Sequence, residues 1–533
     1  MILAVSRAER YSPNSVAKDA AILENVSQKL RRYGYDVDTI GEDELTIDSI
    51  ADVYVSMSRS ERAASILRRL RDKGAIVIAP NIDAELLTCR TSLEAELRRR
   101  KMPLLTGKGF NGYWIKKNHG YTEREDDVVY AATERERRAA VKTMAERFGK
   151  NGVYVAPHIT GDVVKFYGVE GTDFFETYYP GDDGQTKFAH EIHNGKPHHY
   201  VFDKERLRDA LDDMAYDNGV TFYGGDCIVD QNGVAYVVDF NDWPSYSRCR
   251  EEAASAITKA VMRIIANARH SIAPRQLVRG FIFDYGGTLD TGGDHWGKVL
   301  WHAYGHQGVP ISEQLFREAY VHAERALGGN DIIKPWFTFR DTLSTKLDIE
   351  LRYIAKATAN FNCADWHDTL LEELYERTVK HTRRSATVLR DIRESTGNRM
   401  VLVSNFYGNV STVLGEFGLD GVFDDIIESA TVGIRKPDPR IFQLGVEALG
   451  VKPEETIVVG DSYDKDIIPA LRAGCRAVWF MGEGWTDNVP DGGEADEVIT
   501  SISAMRHIAA DEIRTSATAD KLQEWSRKVI RKK

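Results

Sequence analysis

Three short apolar runs in the second half of the chain each stop on a polar residue. Gly280-Phe281-Ile282-Phe283 runs into Asp284, Met400-Val401-Leu402-Val403 into Ser404, and Thr456-Ile457-Val458-Val459-Gly460 into Asp461. Continuous apolar runs of this length, bounded by turn residues, predict buried strands of a parallel sheet. The first hundred residues alternate similarly: strands over 2–6, 52–57 and 75–79, with amphipathic helices over 19–33, 60–73 and 87–101. This is the pattern of a small doubly wound unit.

From 102 to 270 the texture changes. Strands are predicted over 113–117, 127–132, 153–159, 163–169, 174–179, 227–229 and 234–240, with helices over 134–148, 204–216 and 251–268. Grouped strands between helices imply an α+β layer. A linker follows at 271–279, where Pro274 breaks the preceding helix. Between 292 and about 387 helical periodicity dominates (296–304, 312–327, 366–383) and interrupts the αβ alternation, as a cap over a sheet edge would.

With 533 residues the chain needs more than one core. Its net charge of -11 argues against a general nucleic-acid or membrane-surface binder. The basic end, Arg527-Lys528 and Arg531-Lys532-Lys533, reads as a solvated helix terminus. Five scattered cysteines without a CxxC pair suit a reducing compartment rather than a disulfide or zinc framework. No apolar run is long enough to span a bilayer, and no charged segment precedes an apolar stretch at the start. The expectation is a cytoplasmic enzyme of small molecules, with no nucleic-acid or membrane partner; a homodimer stays open.

The polar residues at the strand ends suit phosphoryl transfer. Sites in open α/β sheets are built at the carboxyl ends of strands. There lie Asp284 in Asp284-Tyr285-Gly286-Gly287-Thr288-Leu289-Asp290, Ser404, Lys436 in Arg435-Lys436-Pro437-Asp438-Pro439, and Asp461 and Asp466. Four such segments in this order resemble the haloacid dehalogenase superfamily of phosphatases and phosphotransferases. The resemblance implies Asp284 as nucleophile, Thr288 and Ser404 as donors to phosphoryl oxygens, and Lys436 as the neutralising cation. It implies magnesium held by Asp284, Asp461 and Asp466, with the Gly286 carbonyl as a further ligand. One departure stands out. Phosphatases of that family usually carry a second aspartate two residues after the nucleophile, as acid and base, and here that residue is Gly286. Asp290, His295 or a cap residue are the alternatives for that role. A degenerate domain that binds a phosphorylated ligand, and so senses or dimerises, is the non-enzymatic alternative.

In the first half, Gly224 to Val229 and Val234 to Phe240 flank the turn Asp230-Gln231-Asn232-Gly233, a hairpin signal. The hairpin is expected to set Asp226 near Asp239 and Asn241, three oxygen ligands suited to magnesium. These stretches resemble the last metal-binding strands of the ATP-grasp superfamily. By the same resemblance Lys116 and Lys117 (in Tyr113-Trp114-Ile115-Lys116-Lys117) and Lys165 contact the phosphates of ATP, and Asn118-His119-Gly120 begins a phosphate loop. His190, His193, His198 and His199 lie in a polar loop without metal-motif spacing and read as loop residues near an anionic substrate.

Together the resemblances imply an α/β multidomain chain. An ATP-grasp fold would comprise a doubly wound leading domain (1–101) and an α+β nucleotide-binding domain (102–270). After the linker would come a haloacid dehalogenase-like Rossmannoid domain (280–510) with a helical cap at about 292–387, then a helical tail (511–533). The implied cofactors are ATP and Mg2+. The expected activity is bifunctional: an ATP-dependent carboxylate ligase working through an acyl-phosphate, joined to a magnesium-dependent phosphatase. Its substrates would be a carboxylate or hydroxyl acceptor and a phosphate ester. A kinase fused to a phosphatase is the runner-up. Sharing one chain raises the effective concentration of each half for the other's product.

Overall fold

The computed structural model describes residues 1–11, 15–79, 82–120, 124–182, 193–268, 277–329, 332–486, 490 and 492–510. Most of the expected linker, all of the 511–533 tail and His190 lie outside the described residues. The chain divides into two compact units, Met1–Met262 and Arg263–Lys533. No described helix is long and apolar enough to cross a membrane.

The N-terminal unit begins with a parallel sheet of β1 (Ile2–Ser6), β2 (Val37–Gly41), β3 (Val53–Ser56) and β4 (Ile76–Ile78) in the order β2-β1-β3-β4. The sequence pattern misses β2. Only Val37 of Val37-Asp38-Thr39-Ile40-Gly41 is buried, because the strand lies at the sheet edge and carries almost no apolar run. The helix Glu61–Asp72 follows its periodicity. Ser60 Oγ accepts the Ala63 N–H at 3.2 Å, and Ala63, Ala64, Leu67 and Leu70 are buried along one face.

Two antiparallel sheets follow. The first joins β5 (Tyr113–Lys117), β6 (Val128–Ala131) and β7 (Val153–Pro157) in the order β6-β5-β7. It packs Ile115 and Ala131 against Met144 of the helix Glu134–Phe148. The second joins β8 (Asp162–Val169), β9 (Phe175–Tyr178), β10 (Phe222–Val229) and β11 (Ala235–Asp242) in the order β11-β10-β8-β9. The expected hairpin is β10–β11. Strand β10 starts five residues earlier than the pattern predicts, at Phe222, since Gly224 and Gly225 stay in the ladder, paired with β8 and β11.

The C-terminal unit is a six-stranded parallel sheet: β12 (Gly280–Phe283), β13 (Arg399–Ser404), β14 (Asp425–Glu428), β15 (Thr456–Gly460), β16 (Arg476–Phe480) and β17 (Glu497–Ile499). Its order is β14-β13-β12-β15-β16-β17. Strand β12 pairs with β13 on one side and β15 on the other, so the strand order changes direction there. Four helices, Trp296–His306, Glu313–Gly329, Phe339–Ala357 and His367–Thr396, lie between β12 and β13. Two differ from the periodicity reading. Phe339–Ala357 starts at a capping box between Thr338 and Asp341. His367–Thr396 continues through buried Val388, Leu389 and Ile392, well past residue 383.

Leu402 is fully buried on β13. Leu402→Ala should cost the C-terminal unit about 2–5 kcal/mol in denaturant unfolding. A loss within the roughly ±0.5 kcal/mol of a surface change would contradict this packing.

Candidate functional site

The direction change at β12 brings the ends of three strands together. Asp284 follows β12, Ser404 ends β13 and Asp461 follows β15. Asp284, Asp461 and Asp466 each place a carboxylate oxygen within 4.8 Å of the others. Lys436 is buried among them, its Nζ 2.7 Å from Asp284 Oδ1 and 2.6 Å from Asp466 Oδ1. Burial opposes the ammonium charge, but Asp284 and Asp466 outweigh it and hold the Lys436 pKa above the ordinary lysine value. Burial, then Asp466 and Asp284, push the Asp461 carboxyl well above the ordinary aspartate value. Thr288 Oγ1 donates to Asp461 Oδ1 and accepts the Asp461 N–H, both at 3.0 Å. Ser404 Oγ is buried and makes no hydrogen bond among the described residues. Asp284, Thr288, Lys436, Asp461 and Asp466 are thus brought into contact, Gly286 lines the same cavity, and Ser404 ends the neighbouring strand.

Two glycines shape the turn. Gly287 has φ +95°, and a Cβ there would lie 2.4 Å from Asp461 Oδ1. At Gly286 a Cβ would meet nothing within 4 Å. The missing carboxylate is thus not excluded by space.

Asp290 and His295, the two named alternatives for the acid role, both line the cavity over this cluster. Asp290 accepts the Gly287 N–H at 2.7 Å and the Trp296 indole N–H at 2.9 Å, and burial pushes its pKa up to about 7. It ties the turn to the first cap helix. His295 Nδ1 accepts the Gly297 N–H at 3.0 Å, and burial pushes its pKa down to about 4.

A cavity of about 170 Å³ opens over the cluster, closed on the other side by Tyr320, Glu324, Lys346 and Tyr407. Sequence reasoning missed these residues: packing of the cap helices brings in Tyr320, Glu324 and Lys346, and Tyr407 comes from the loop after β13. It also missed Asn405, whose side chain accepts the Lys436 N–H at 3.0 Å and donates to the Lys436 carbonyl at 3.1 Å. Its place directly after Ser404 was the available signal.

In the N-terminal unit the hairpin register sets Asp226 opposite Asp239. Asn241 Nδ2 donates to Asp239 Oδ2 at 3.0 Å, and Lys165 Nζ donates to Asp226 Oδ1 at 2.6 Å. Arg90, which no motif marked, donates to Asp239 Oδ1 at 3.3 Å. Burial raises the Asp239 pKa, but Arg90 and Lys116 outweigh it and hold the carboxyl below its ordinary value. Burial, then Arg90, pushes the Lys116 pKa down to about 7. These groups line a cavity of about 600 Å³, in which Arg7, Lys18, Arg59, Arg90, Lys116, Lys165 and Arg248 face Asp19, Asp226, Asp239 and Asp242. Lys117 is not brought to it. Successive strand residues point to opposite faces, and Lys117 Nζ lies 5.7 Å from the Phe148 ring centroid instead. His193 stacks on Tyr130 at 3.9 Å, and the His198 N–H donates to Asp162. Among the described residues these histidines form no metal cluster.

Comparison with known proteins assigns the C-terminal unit. Residues 278–474 match the haloacid dehalogenase-like hydrolases, and the chain belongs to that family. It is 32% identical to a glyceraldehyde 3-phosphate phosphatase of Pyrococcus furiosus over 173 residues, 32% of this chain and 69% of that protein. It is 50% identical to a phosphoserine phosphatase of Thermus thermophilus over 62 residues, 12% of this chain and only 25% of that protein. Among solved structures, the N-terminal region is similar to a RimK domain ATP-grasp protein from Sphaerobacter thermophilus. Identity is 13%, coverage 48% of this chain and 96% of that one, and the TM-score 0.34.

Behind the cap wall sits a second titratable group. Glu350 is fully buried, accepts the Tyr304 hydroxyl at 3.2 Å, and among the described residues leaves its other oxygen without a hydrogen bond. Burial pushes its pKa from 4.5 up to about 7. A carboxyl whose folded pKa exceeds its unfolded value holds its proton longer in the fold, so stability falls as pH rises from about 4.5 through about 7. That loss is on the order of 3 kcal/mol. Glu350→Gln should flatten it in denaturant unfolding compared at pH 5 and pH 8; an equally steep fall in the variant would contradict the assignment.

Proposed function

We propose that this chain is a bifunctional enzyme: a magnesium-dependent hydrolase of a small phosphate ester, joined to an ATP-dependent ligase that activates a carboxylate. The hydrolase reading rests chiefly on Asp284 standing with Asp461, Asp466 and Lys436 at the ends of adjacent parallel strands. The family membership supports it, as do the phosphatase names of the relatives.

An Asp284 oxygen attacks phosphorus, the bond from phosphorus to the leaving oxygen breaks, and an aspartyl-phosphate forms. With Gly286 in place of a carboxyl, the leaving oxygen takes its proton from solvent. Water then attacks phosphorus, giving its proton to solvent; the bond to Asp284 breaks and orthophosphate leaves. Lys436 orients Asp284 through their ion pair, while Thr288 and Ser404 offer hydroxyl donors to phosphoryl oxygens. Three clustered carboxylates with one ammonium fit a divalent cation, which Asp284, Asp461, Asp466 and the Gly286 carbonyl would hold. When bound, magnesium neutralises phosphoryl charge.

The ligase reading is carried by Asp226, Asp239 and Asn241 beside Lys116 and Lys165 in one basic cavity. The carboxylates would hold magnesium and the lysines would meet the phosphates of ATP. The substrate carboxylate attacks the γ-phosphorus, ADP leaves, and an acyl-phosphate forms. An amine or thiol then adds to the carbonyl carbon, phosphate departs, and the nucleophile's proton goes to solvent. The similarity to an ATP-grasp protein accords with this choice.

Asp284→Asn should abolish phosphate release from an aryl phosphate while ATP consumption continues; retained turnover would sink the nucleophile assignment. Gly286→Asp, for which the backbone has room, should raise that rate by about 10²–10⁴-fold, the usual worth of a placed proton donor. No gain would favour a ligand-sensing domain instead. Asp239→Ala should remove magnesium-ATP binding in calorimetry, and unchanged affinity would refute that metal site.

A further inference from the structure

The C-terminal cavity is lined by cations beyond the lysine of its carboxylate cluster. Beyond the Lys436 cluster and Asp290, the charged residues around it are Lys346, Arg435 and Lys465 against Glu324. Lys346 and Glu324 come from the cap helices Phe339–Ala357 and Glu313–Gly329, and so face the leaving group rather than the phosphoryl group.

The Lys346–Glu324 pair is not closed on itself. The Lys346 side chain is 9% exposed, and its ammonium has three N–H donors. Among the described residues it makes one hydrogen bond, to Glu324, with Nζ 4.5 Å from the Tyr320 ring centroid. Glu324 also accepts the Tyr407 hydroxyl at 3.1 and 3.2 Å. Its acceptor capacity is thus shared, while Lys346 keeps donors for a ligand. Arg435 and Lys465 are exposed, and among the described residues neither makes an ion pair or side-chain hydrogen bond. The cavity, about 170 Å³, is below the roughly 300–1,000 Å³ of a drug-sized pocket.

We propose that the ester hydrolysed at Asp284 is small and carries a second anionic group on its leaving side, a carboxylate or a second phosphate. Lys346 binds that group at depth, and Arg435 and Lys465 attract it at the rim. The inference rests on the phosphatase reading above.

The test compares kcat/KM for 2-phosphoglycolate, ethane-1,2-diol bisphosphate and uncharged-tail 2-hydroxyethyl phosphate. One anionic substrate should exceed the neutral one by about tenfold or more, the worth of a charge-assisted hydrogen bond. Which one does so identifies the anion. The ratio should collapse in Lys346→Met. It should collapse equally in Lys346→Met with Glu324→Gln, which leaves no unpaired charge in the cap. A native ratio within about twofold of one, or a ratio preserved in folded variants, overturns the proposal. Hydrolysis of none of the three would contradict the phosphatase reading. Calorimetry on the unreacted compounds would then judge the anion site by the same ratio.

Discussion

The C-terminal unit is organised around one buried ammonium. Lys436 sits between Asp284 and Asp466, with Asp461 alongside. At about 4 Å and an effective dielectric of about 20, two unit charges interact by about 4 kcal/mol. Burial first, and then the neighbouring carboxylates, raise the Asp461 and Asp466 carboxyls above the ordinary aspartate value, so the cluster is short of positive charge. That deficit is the physical reason the site suits a divalent cation and then a phosphoryl group. It also constrains the backbone: Gly287 leaves room for the Asp461 carboxylate, and Asn405 fixes the backbone of Lys436 from both sides.

The N-terminal unit meets a similar demand differently. Its acids Asp226 and Asp239 face each other across an antiparallel hairpin rather than gathering at parallel strand ends. The cations near them come from separate elements: Lys165 from β8, Lys116 from β5, Arg90 from the helix Arg90–Arg99. There the basic side chains outnumber the acids, so the cavity as a whole favours an anion of high charge. Burial, then Arg90, lowers the Lys116 pKa to about 7, a shift that a nearby anion opposes.

What the sequence made legible was what depends on strand periodicity. Asp284, Ser404 and Asp461 each follow or end an apolar run, and parallel pairing alone brings them together. Asp226 and Asp239 were readable because the Asp230–Gly233 turn fixes register. Lys116 and Lys117 could not be separated by motif, although strand alternation could have sent one inward and the other outward. Arg90, Glu324, Lys346 and Tyr407 were not legible, since their positions come from packing between elements far apart in the chain. The edge strand β2 escaped because an exposed strand needs little apolar sequence.

The most direct test of the central claim is covalent. The chain would be mixed with a phosphate ester, quenched in acid during turnover, and digested. An acyl-phosphate that hydroxylamine cleaves, mapped by mass spectrometry to Asp284, is the predicted result. Steady turnover with no phosphoryl group on Asp284 at any quench time would contradict the account.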